Sequence, residues 1–437
     1  MPASPARSSP LGGRLLRTLG PAIVVASVVL GPGSILASSR VGAAFGYSLL
    51  WVLVGASLLM AGMVLLSARL GLACSRTLCD ELSSRLGRPV AAGIGLVVFL
   101  IVTSFQTSNN FGVLAAFEAF SPPGRPPLAN VQAISLLMLL NGLALATVFG
   151  LRRLYRPIER LMLLLVLAMI AAFVGNIFLA KPDWAAVLRG LLPSVQSLTQ
   201  TPSAGNAPVA LLAVSALVGT TYSVAGAYYQ AYLVREKGWT RAQVREGMID
   251  VAAGIAVLGG ISLVIMITAA AVFHSRTEPV SLDSAADIAR QLQPLFGSGA
   301  RLLFSLGLFA AAFSSFLMNA IIGGHILADG LGLGPAMESP LTRVFTALIL
   351  VLSMLIAVVS RSTGLPIVHL ILFAQALTVL GLPALAAAML YLATRPDLRA
   401  TGLLTPPLLA AGWIGLTVAL LMALLTSHTV ATQLGWL

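Results

Sequence analysis

The chain has 437 residues, of which 58% are hydrophobic and 9% charged, and its mean hydropathy is +0.96. Such a composition excludes a soluble globular domain and indicates a membrane protein with several spans. The formal net charge of +12 comes from short Lys and Arg clusters between apolar stretches. Clusters of this kind set orientation in the bilayer, so we expect no nucleic-acid partner.

Residues 1–19 are rich in Pro, Ser and Arg, which predicts a disordered, cytoplasmic N-terminus. Eleven apolar segments follow, each long enough to cross about 30 Å of hydrocarbon. They lie at roughly 20–42, 46–68, 91–119, 131–149, 157–180, 207–234, 247–273, 300–328, 341–360, 366–394 and 404–427. With the N-terminus inside, the inner segments carry 18 of the 26 Lys and Arg residues and the outer segments 8, which predicts a C-terminus outside.

The loop after the second span contains both cysteines, Cys74 and Cys79. Two cysteines in a cytoplasmic loop make no disulfide framework, so we expect reduced thiols. The loop also carries four charged residues that predict a solvated helix, namely Asp80, Glu81, Arg85 and Arg88.

The first apolar span is interrupted by Gly31-Pro32-Gly33. Pro32 lacks an N–H and clashes with the preceding turn, and the flanking glycines lower the cost of unwinding, so the helix is expected to open here. Opened backbone is tolerated in hydrocarbon only where protein buries it or where it lines a cavity with a ligand. The alternative is a proline kink that binds nothing.

The sixth span repeats this interruption, because residues 218–227 read VGTTYSVAGA, a polar and Gly-interrupted stretch within an apolar helix. Two broken helices five spans apart predict a pair of inverted five-helix repeats, over residues 20–180 and 207–394. The substrate is then expected at mid-membrane between the two breaks. Residues 404–437 are assigned to an eleventh helix and an outer C-terminus.

Several stretches resemble the Nramp family of proton-coupled divalent metal transporters. LGPAIVVASVVLGPGSI and the following GAAFGYSLLWVLVGASLLMAGMVLLSARLGLACSRTL are similar to its first two helices and loop. LFAAAFSSFLMNAIIGGHILADGLGL is similar to its eighth helix, and LILFAQALTVLGLPALAAAMLYLAT to its tenth. The resemblance implies an all-α membrane protein with a LeuT-like 5+5 inverted repeat, broken first and sixth helices, and eleven transmembrane helices.

The resemblance also shows where this chain departs from the family. The first-helix motif Asp-Pro-Gly-Asn becomes GPGS at residues 31–34, and the sixth-helix motif Met-Pro-His-Asn becomes SVAG at 223–226. In the tenth helix the first family glutamine is kept as Gln375, whereas the second matches Thr378. The family-equivalent metal positions are therefore Gly31, Ser34, Ser223 and Thr378, and none of them is a confident metal ligand.

The same alignment defines a coupling pathway without acids. The acidic pair that the family uses for proton release on its third helix falls on Gln106 and Asn109, which cannot titrate. A family histidine of the sixth helix falls on Gln230. His325 and His369 are then the titratable candidates within the spans, with a hydrogen-bonded structural role as the alternative for each. We assign Gln106, Asn109, Gln230 and His325 to the coupling pathway.

The predicted substrate site is neutral. Glu118, Asp250 and Asp329 are expected near helix ends, so no carboxylate is predicted in the middle of the membrane. A bare divalent ion normally requires anionic oxygen. What the site offers instead is hydroxyls, amides and backbone groups of Gly31, Gly33, Ser34, Thr220, Thr221, Ser223, Gly226, Gln375 and Thr378.

These observations predict a secondary transporter that works by alternating access and carries the family label of divalent metal transport. The usual transition-metal and proton symport is not expected. A hydrated cation such as magnesium, a monovalent cation, or a small polar or zwitterionic organic solute would fit the site, and a non-transporting receptor or scaffold is the alternative. We find no catalytic constellation, so no enzyme and no cofactor are expected. The partners are the solute and the bilayer, for a monomer in a bacterial inner membrane.

Overall fold

The structure is a computed structural model that describes residues 31–120, 130–150, 152–198, 207–274, 282–334, 339–361 and 364–433. Within these ranges the chain is helical and contains no strand. The predicted disordered N-terminus and residues 20–30 of the predicted first span lie outside them. The first break can therefore be followed only from Gly31 onward.

The first half of the described chain contains seven helices. They are α1 (Pro32–Phe45), α2 (Leu50–Ala73), α3 (Leu78–Leu86), α4 (Arg88–Phe120), α5 (Asn130–Phe149), α6 (Arg152–Ala180) and α7 (Trp184–Gly190). A single turn, Val195–Leu198, follows α7. The short helices α3 and α7 lie in connections between the long apolar helices.

The second half contains nine labelled helices. They are α8 (Ala207–Thr221), α9 (Val224–Glu236), α10 (Arg241–Ala269), α11 (Ala285–Ala289), α12 (Ala300–Gly330), α13 (Pro340–Arg361), α14 (Ile367–Thr378), α15 (Leu382–Ala393) and α16 (Pro406–Gln433). Helix α10 continues as a π-helical turn, Ala270–His274. Short turns occupy Arg290–Leu292, Gln293–Phe296, Gly297–Gly299, Val379–Gly381 and Pro396–Arg399.

Ten helical segments of the described ranges are long and apolar enough to cross a membrane. They correspond in order to the second through eleventh predicted spans. The predicted second span, 46–68, differs from the structure at both ends. Gly46 has a φ of +59° and residues 46–49 form a turn before α2 begins, and α2 continues to Ala73. The predicted tenth span, 366–394, is not one continuous α-helix, because a 3₁₀ turn at Val379–Gly381 separates α14 from α15.

Helix α1 packs closely on α10. A methyl group placed on Gly42 would lie 2.3 Å from the Met266 carbonyl oxygen. Only a residue without a side chain permits this backbone approach, which is how small residues hold membrane helices together. A similar contact joins α2 to α9, where a methyl on Gly71 would lie 2.6 Å from the Ala231 carbonyl oxygen.

The prediction of a solvated helix between the second and third spans is wrong in one respect. Helix α3 is capped by Thr77, whose hydroxyl accepts the Asp80 N–H at 3.1 Å, but Glu81 is buried, with 8% of its surface exposed. Arg85 donates to Glu81 at 2.6 Å and also to Asp397. The hydrogen bond from Arg85 to Asp397 holds the pKa of the Asp397 carboxyl below its usual value. The helix is thus attached to the turn that follows α15, a contact that the loop sequence does not contain.

Candidate functional site

The break predicted in the sixth span is confirmed. Helix α8 ends at Thr221 and α9 begins at Val224. Between them Ser223 has φ −82° and ψ 84°, and the Val224 N–H donates to the Tyr222 carbonyl at 3.1 Å, which is an inverse γ-turn. The last carbonyls of α8 therefore have no N–H of a following turn to accept, as at any helix end.

Helix α1 begins at the other predicted break. Gly31 is its N-cap and has extended backbone, with φ −83° and ψ 171°, and Pro32 opens the first turn. No side chain caps this end, so its first N–H groups face outward from the helix. Of the two glycines at this break, Gly31 and Gly33, the packing requires Gly33, since a methyl there would lie 2.4 Å from Cγ of Gln375.

Four helices, α1, α4, α8 and α14, meet at this point, and we call the residues Gly31, Gly33, Asn109, Gly219 and Gln375 the central site. A methyl on Gly31 would lie 3.5 Å from Oδ1 of Asn109 on α4. A methyl on Gly219, near the end of α8, would lie 2.8 Å from Oγ1 of Thr378 and 3.1 Å from the Gln375 carbonyl oxygen on α14. The two helix ends and the predicted α14 residues are thus adjacent.

The amide groups in and beside the central site include buried atoms without hydrogen-bond partners among the described residues. Gln375 is 0% exposed, and neither its Nε2 nor its Oε1 has a hydrogen-bond partner among the described residues. Asn109 donates through Nδ2 to Gln106 Oε1 at 3.1 Å, while Asn109 Oδ1 and Gln106 Nε2 have no partner in the same part of the chain. Leaving such a group unpaired costs about 1 to 3 kcal/mol. A cluster of them therefore indicates a place where a ligand or water supplies the missing hydrogen bonds.

The hydroxyl groups predicted for the site differ from one another in their hydrogen bonds and in their positions. Thr220 donates to the Leu217 carbonyl at 3.1 Å and Thr378 to the Gln375 carbonyl at 2.6 Å, so each can only accept from a ligand. Ser34 and Thr221 are buried. Ser223 and Gly226 lie at the start of α9, where a methyl on Gly226 would be 3.5 Å from Ser223 Oγ and 3.8 Å from Met60 Cε.

The site carries no cluster of metal-ligating side chains. Within the described ranges, no group of three or more His, Cys, Asp or Glu residues could hold a metal ion. Of the three carboxylates expected near helix ends, Glu118 is in the last turn of α4 and Asp329 in the last turn of α12. Asp250 lies in the first half of α10 and not in its first turn. A cation at the central site would have only neutral oxygens as ligands.

The coupling residues are not all in one place. Gln106 and Asn109 are fully buried on α4, and Gln230 is half-buried on α9. His325 is buried on α12, with its ring edge-on to Tyr232 at a centroid distance of 5.3 Å. His369 lies in the first turn of α14 with Nε2 3.2 Å from Asp283 Oδ1, at the end of the helix that is predicted to be the outer one.

Sequence reasoning missed a polar network beside the central site. Asn141 on α5 donates to Asn110 Oδ1 at 2.7 Å, and Asn110 donates to Ser353 Oγ at 3.3 Å. It also missed Gly112, where a methyl would lie 2.4 Å from Cγ of Pro32. The asparagines could have been found from their position inside apolar spans, whereas the contact between Gly112 and Pro32 has no signal in the sequence.

On the predicted external side, a cavity of about 890 Å³ lies beside the outer half of α4. Its wall includes Phe111, Glu118 and Arg361, and the Arg361 guanidinium lies 3.1 Å from the Glu118 carboxylate. Arg40 of α1 donates to the Leu282 carbonyl and to Asp283 Oδ1, both at 2.7 Å. Asp283 therefore joins α1 to α14 through Arg40 and His369.

We expect Arg40→Met to lower the thermal stability of the purified protein. The Arg40 side chain is 11% exposed and makes hydrogen bonds that involve a charge, each worth about 1.5 to 3 kcal/mol. Arg290→Met is the matched control, because Arg290 pairs with Asp287 at 3.2 Å but is 50% exposed, and exposed pairs contribute about 0 to 1 kcal/mol. Equal melting temperatures for the two variants would contradict this role of Arg40.

Two broken half-helices that meet around buried polar groups define a transporter of the LeuT-like fold. A family model described as "Natural resistance-associated macrophage protein-like" matches residues 22–431. The chain belongs to this family, Nramp, whose members are transporters and not enzymes. It is thus an integral membrane protein, and the family assignment made from the sequence motifs is confirmed.

Individual relatives agree with this assignment. The chain is 26% identical over 431 residues to the divalent metal cation transporter MntH of Deinococcus radiodurans, covering 97% of this chain and 91% of that protein. The fold matches a manganese transporter mutant of Eremococcus coleocola with a TM-score of 0.75 and 21% identity, over 98% and 90% of the two chains. It also matches MhsT in complex with L-phenylalanine, with a TM-score of 0.59 and 18% identity, over 93% and 98%.

Proposed function

We propose that this chain is a secondary transporter that holds its cargo in the central site and moves it by alternating access. The observation that carries the proposal is the set of buried, unpaired amide atoms of Gln375, Gln106 and Asn109 beside the start of α1 and the end of α8. A site that needs a ligand to complete its hydrogen bonds, placed between two broken helices, is the arrangement that secondary transporters use.

The leading cargo is a hydrated divalent cation such as magnesium. The relatives named above as metal transporters support a metal ion, while the absence of carboxylates among the described residues of the site argues against a bare ion. Magnesium keeps several of its waters when it binds protein. Those waters donate hydrogen bonds, for which Gln375 Oε1, Asn109 Oδ1 and the last carbonyls of α8 are suitable acceptors.

A small polar or zwitterionic solute is the second candidate, and the unpaired donors favour it. Gln375 Nε2 and Gln106 Nε2 can only donate, and a cation has no use for donors. The start of α1 presents further N–H groups and the positive end of a helix dipole, whereas the end of α8 presents carbonyls and a negative end. A carboxylate at the first and an ammonium at the second would satisfy both.

The test is a thermal-shift screen of the purified protein with magnesium, manganese and a panel of amino acids, followed by flux of each hit in liposomes. Gln375→Leu is expected to weaken binding of the hit by roughly 5- to 150-fold, because one polar partner is lost at about 1 to 3 kcal/mol. Gln291→Leu is the control, since this buried glutamine donates to Ser39 Oγ away from the central site. Unchanged binding in Gln375→Leu would contradict the proposal.

The orientation and the repeat boundaries complete the proposal. The 18 to 8 distribution of Lys and Arg supports a cytoplasmic N-terminus and an external C-terminus in a bacterial inner membrane. The breaks at Gly31 and Ser223 support two inverted repeats, over 20–180 and 207–394, followed by the last helix. We expect the protein to function as a monomer.

A further inference from the structure

Asp329 is a buried carboxylate that the transport site does not use. It lies in the last turn of α12 on the predicted cytoplasmic side and is 1% exposed. Its Oδ2 accepts a hydrogen bond from the Tyr232 hydroxyl at 2.6 Å. In the part of the chain that the structure describes, no Arg or Lys pairs with this carboxylate.

The surroundings of Asp329 do not favour a negative charge. A helix dipole is negative at its C-terminal end, and an anion buried among neutral groups is costly. Arg88 approaches only the backbone, donating to the Asp329 carbonyl at 3.2 Å, and its guanidinium is shared with Asp80 at 3.2 Å. The titratable or charged groups that face Asp329 are Tyr228 and Tyr232 on α9, Cys79 and Asp80 on α3, Arg88 at the start of α4, and His325 one turn earlier on α12.

Asp329 is also where three elements are joined. The Tyr232 hydroxyl, which donates to Asp329, also accepts a hydrogen bond from the backbone N–H of Cys79 on α3, with an N to O distance of 3.4 Å. The Tyr228 hydroxyl contacts Cys79 Sγ at 3.5 Å. We call Asp329, Tyr228, Tyr232 and Cys79 the Asp329 cluster. Because α9 is the half-helix that leads from the break to the cytoplasmic side, parting α9 from α3 and α12 would open a path there and admit water to the carboxylate.

We propose that Asp329 is the proton-binding site of this protein. The Asp329 carboxyl carries its proton while α3, α9 and α12 are closed around it, and it releases that proton to water on the cytoplasmic side when they part. The inference rests on the alternating-access function proposed above and supplies a titratable group that Gln106 and Asn109 cannot provide.

Asp329 carries the one carboxyl group of the Asp329 cluster. Burial raises the pKa of the Cys79 thiol to about 12. Cys79 therefore stays protonated near neutral pH and does not compete for the role. Its burial also makes it a reporter, because its alkylation requires the cluster to open.

The test uses Cys74→Ser protein, in which Cys79 is the only cysteine left of two. The rate of alkylation by N-ethylmaleimide is measured from about pH 5 to about pH 8. Each rate is divided by that of N-acetylcysteine at the same pH, so that the ratio reports how often Cys79 is exposed. In the parent this ratio is expected to rise by up to about tenfold per pH unit, since opening releases one proton.

Asp329→Asn keeps the shape of the side chain but cannot release a proton, so its ratio is expected to stay low and constant with pH. Asp329→Glu and the control Asp80→Asn are expected to keep the rise. Tyr232→Phe removes a donor to the carboxylate and should extend the rise to higher pH. This last readout does not depend on whether the asparagine variant folds.

A flat ratio in the parent, or the parent's slope in Asp329→Asn, would overturn the inference. An unchanged profile in Tyr232→Phe would do so as well. No cargo is present in these measurements, so their failure is distinguishable from failure of the proposed transport function. The reverse also holds, because unchanged cargo binding in Gln375→Leu would contradict the proposed transport site and leave the alkylation profile as it is.

Discussion

Gly33→Val is expected to weaken cargo binding by roughly 5- to 150-fold while the protein still folds and inserts. A methyl on Gly33 would lie 2.4 to 2.7 Å from Cγ, Cδ and Nε2 of Gln375, and valine adds two further carbons. Either the Gln375 side chain leaves the site or α1 moves away from α14. Overpacking costs about 1 to 3 kcal/mol and the lost polar partner about the same. The first cost lowers the stability of the folded protein, and the second weakens binding by roughly 5- to 150-fold.

The other glycines of the predicted site serve as controls for this result. The sequence gives no reason to distinguish Gly31, Gly33 and Gly226, but in the structure they differ in the space available for a side chain. Methyl groups on Gly31 and Gly226 would find their first neighbours at 3.4 and 3.5 Å, which is ordinary contact. Gly226→Ala should therefore bind cargo nearly as well as the parent. Equal loss in Gly33→Val and Gly226→Ala, measured by thermal shift with the cargo, would mean that the close approach to Gln375 is not the cause.

Manganese affinity is expected to be weak in the parent and to rise on the order of 100-fold, or about 2.7 kcal/mol, in the variant Gly31→Asp with Ser34→Asn and Ser223→Met. The three changes supply the carboxylate, amide and thioether that the resemblance places at these positions. Carboxylate oxygen is the ligand that hard cations prefer, and thioether favours softer metals. Gly31 can accept a side chain, because its φ of −83° is ordinary and a methyl there meets Phe105 Cε1 only at 3.4 Å.

Isothermal calorimetry with manganese measures this gain. The control is Ser34→Asn with Ser223→Met alone, which lacks the carboxylate and should remain near the parent. Two outcomes would contradict the interpretation of the site. One is micromolar manganese affinity in the parent that Ser223→Ala weakens. The other is a folded triple variant whose affinity does not rise.

The features that depend on residues close together in the sequence could be predicted from the sequence. Hydropathy located the ten spans that the structure describes, because a membrane helix has to be apolar along its own length. The interruption before Val224 could be predicted for the same reason, since polar residues and glycine weaken a helix where they stand. The sequence also predicts a neutral site, because the resemblance places a carboxylate where this chain has Gly31.

Tertiary structure alone decided which distant residues meet. Gly33 touches Gln375, Arg40 reaches Asp283, and Asp329 accepts a hydrogen bond from Tyr232. Each of these contacts joins helices that are far apart in the chain, and a single residue's pattern does not encode its partner. The same holds for the burial of Glu81, which the charged loop sequence predicted to be solvated. Its environment is set by where α3 packs, because a side chain is buried by the helices around it and not by its neighbours in sequence.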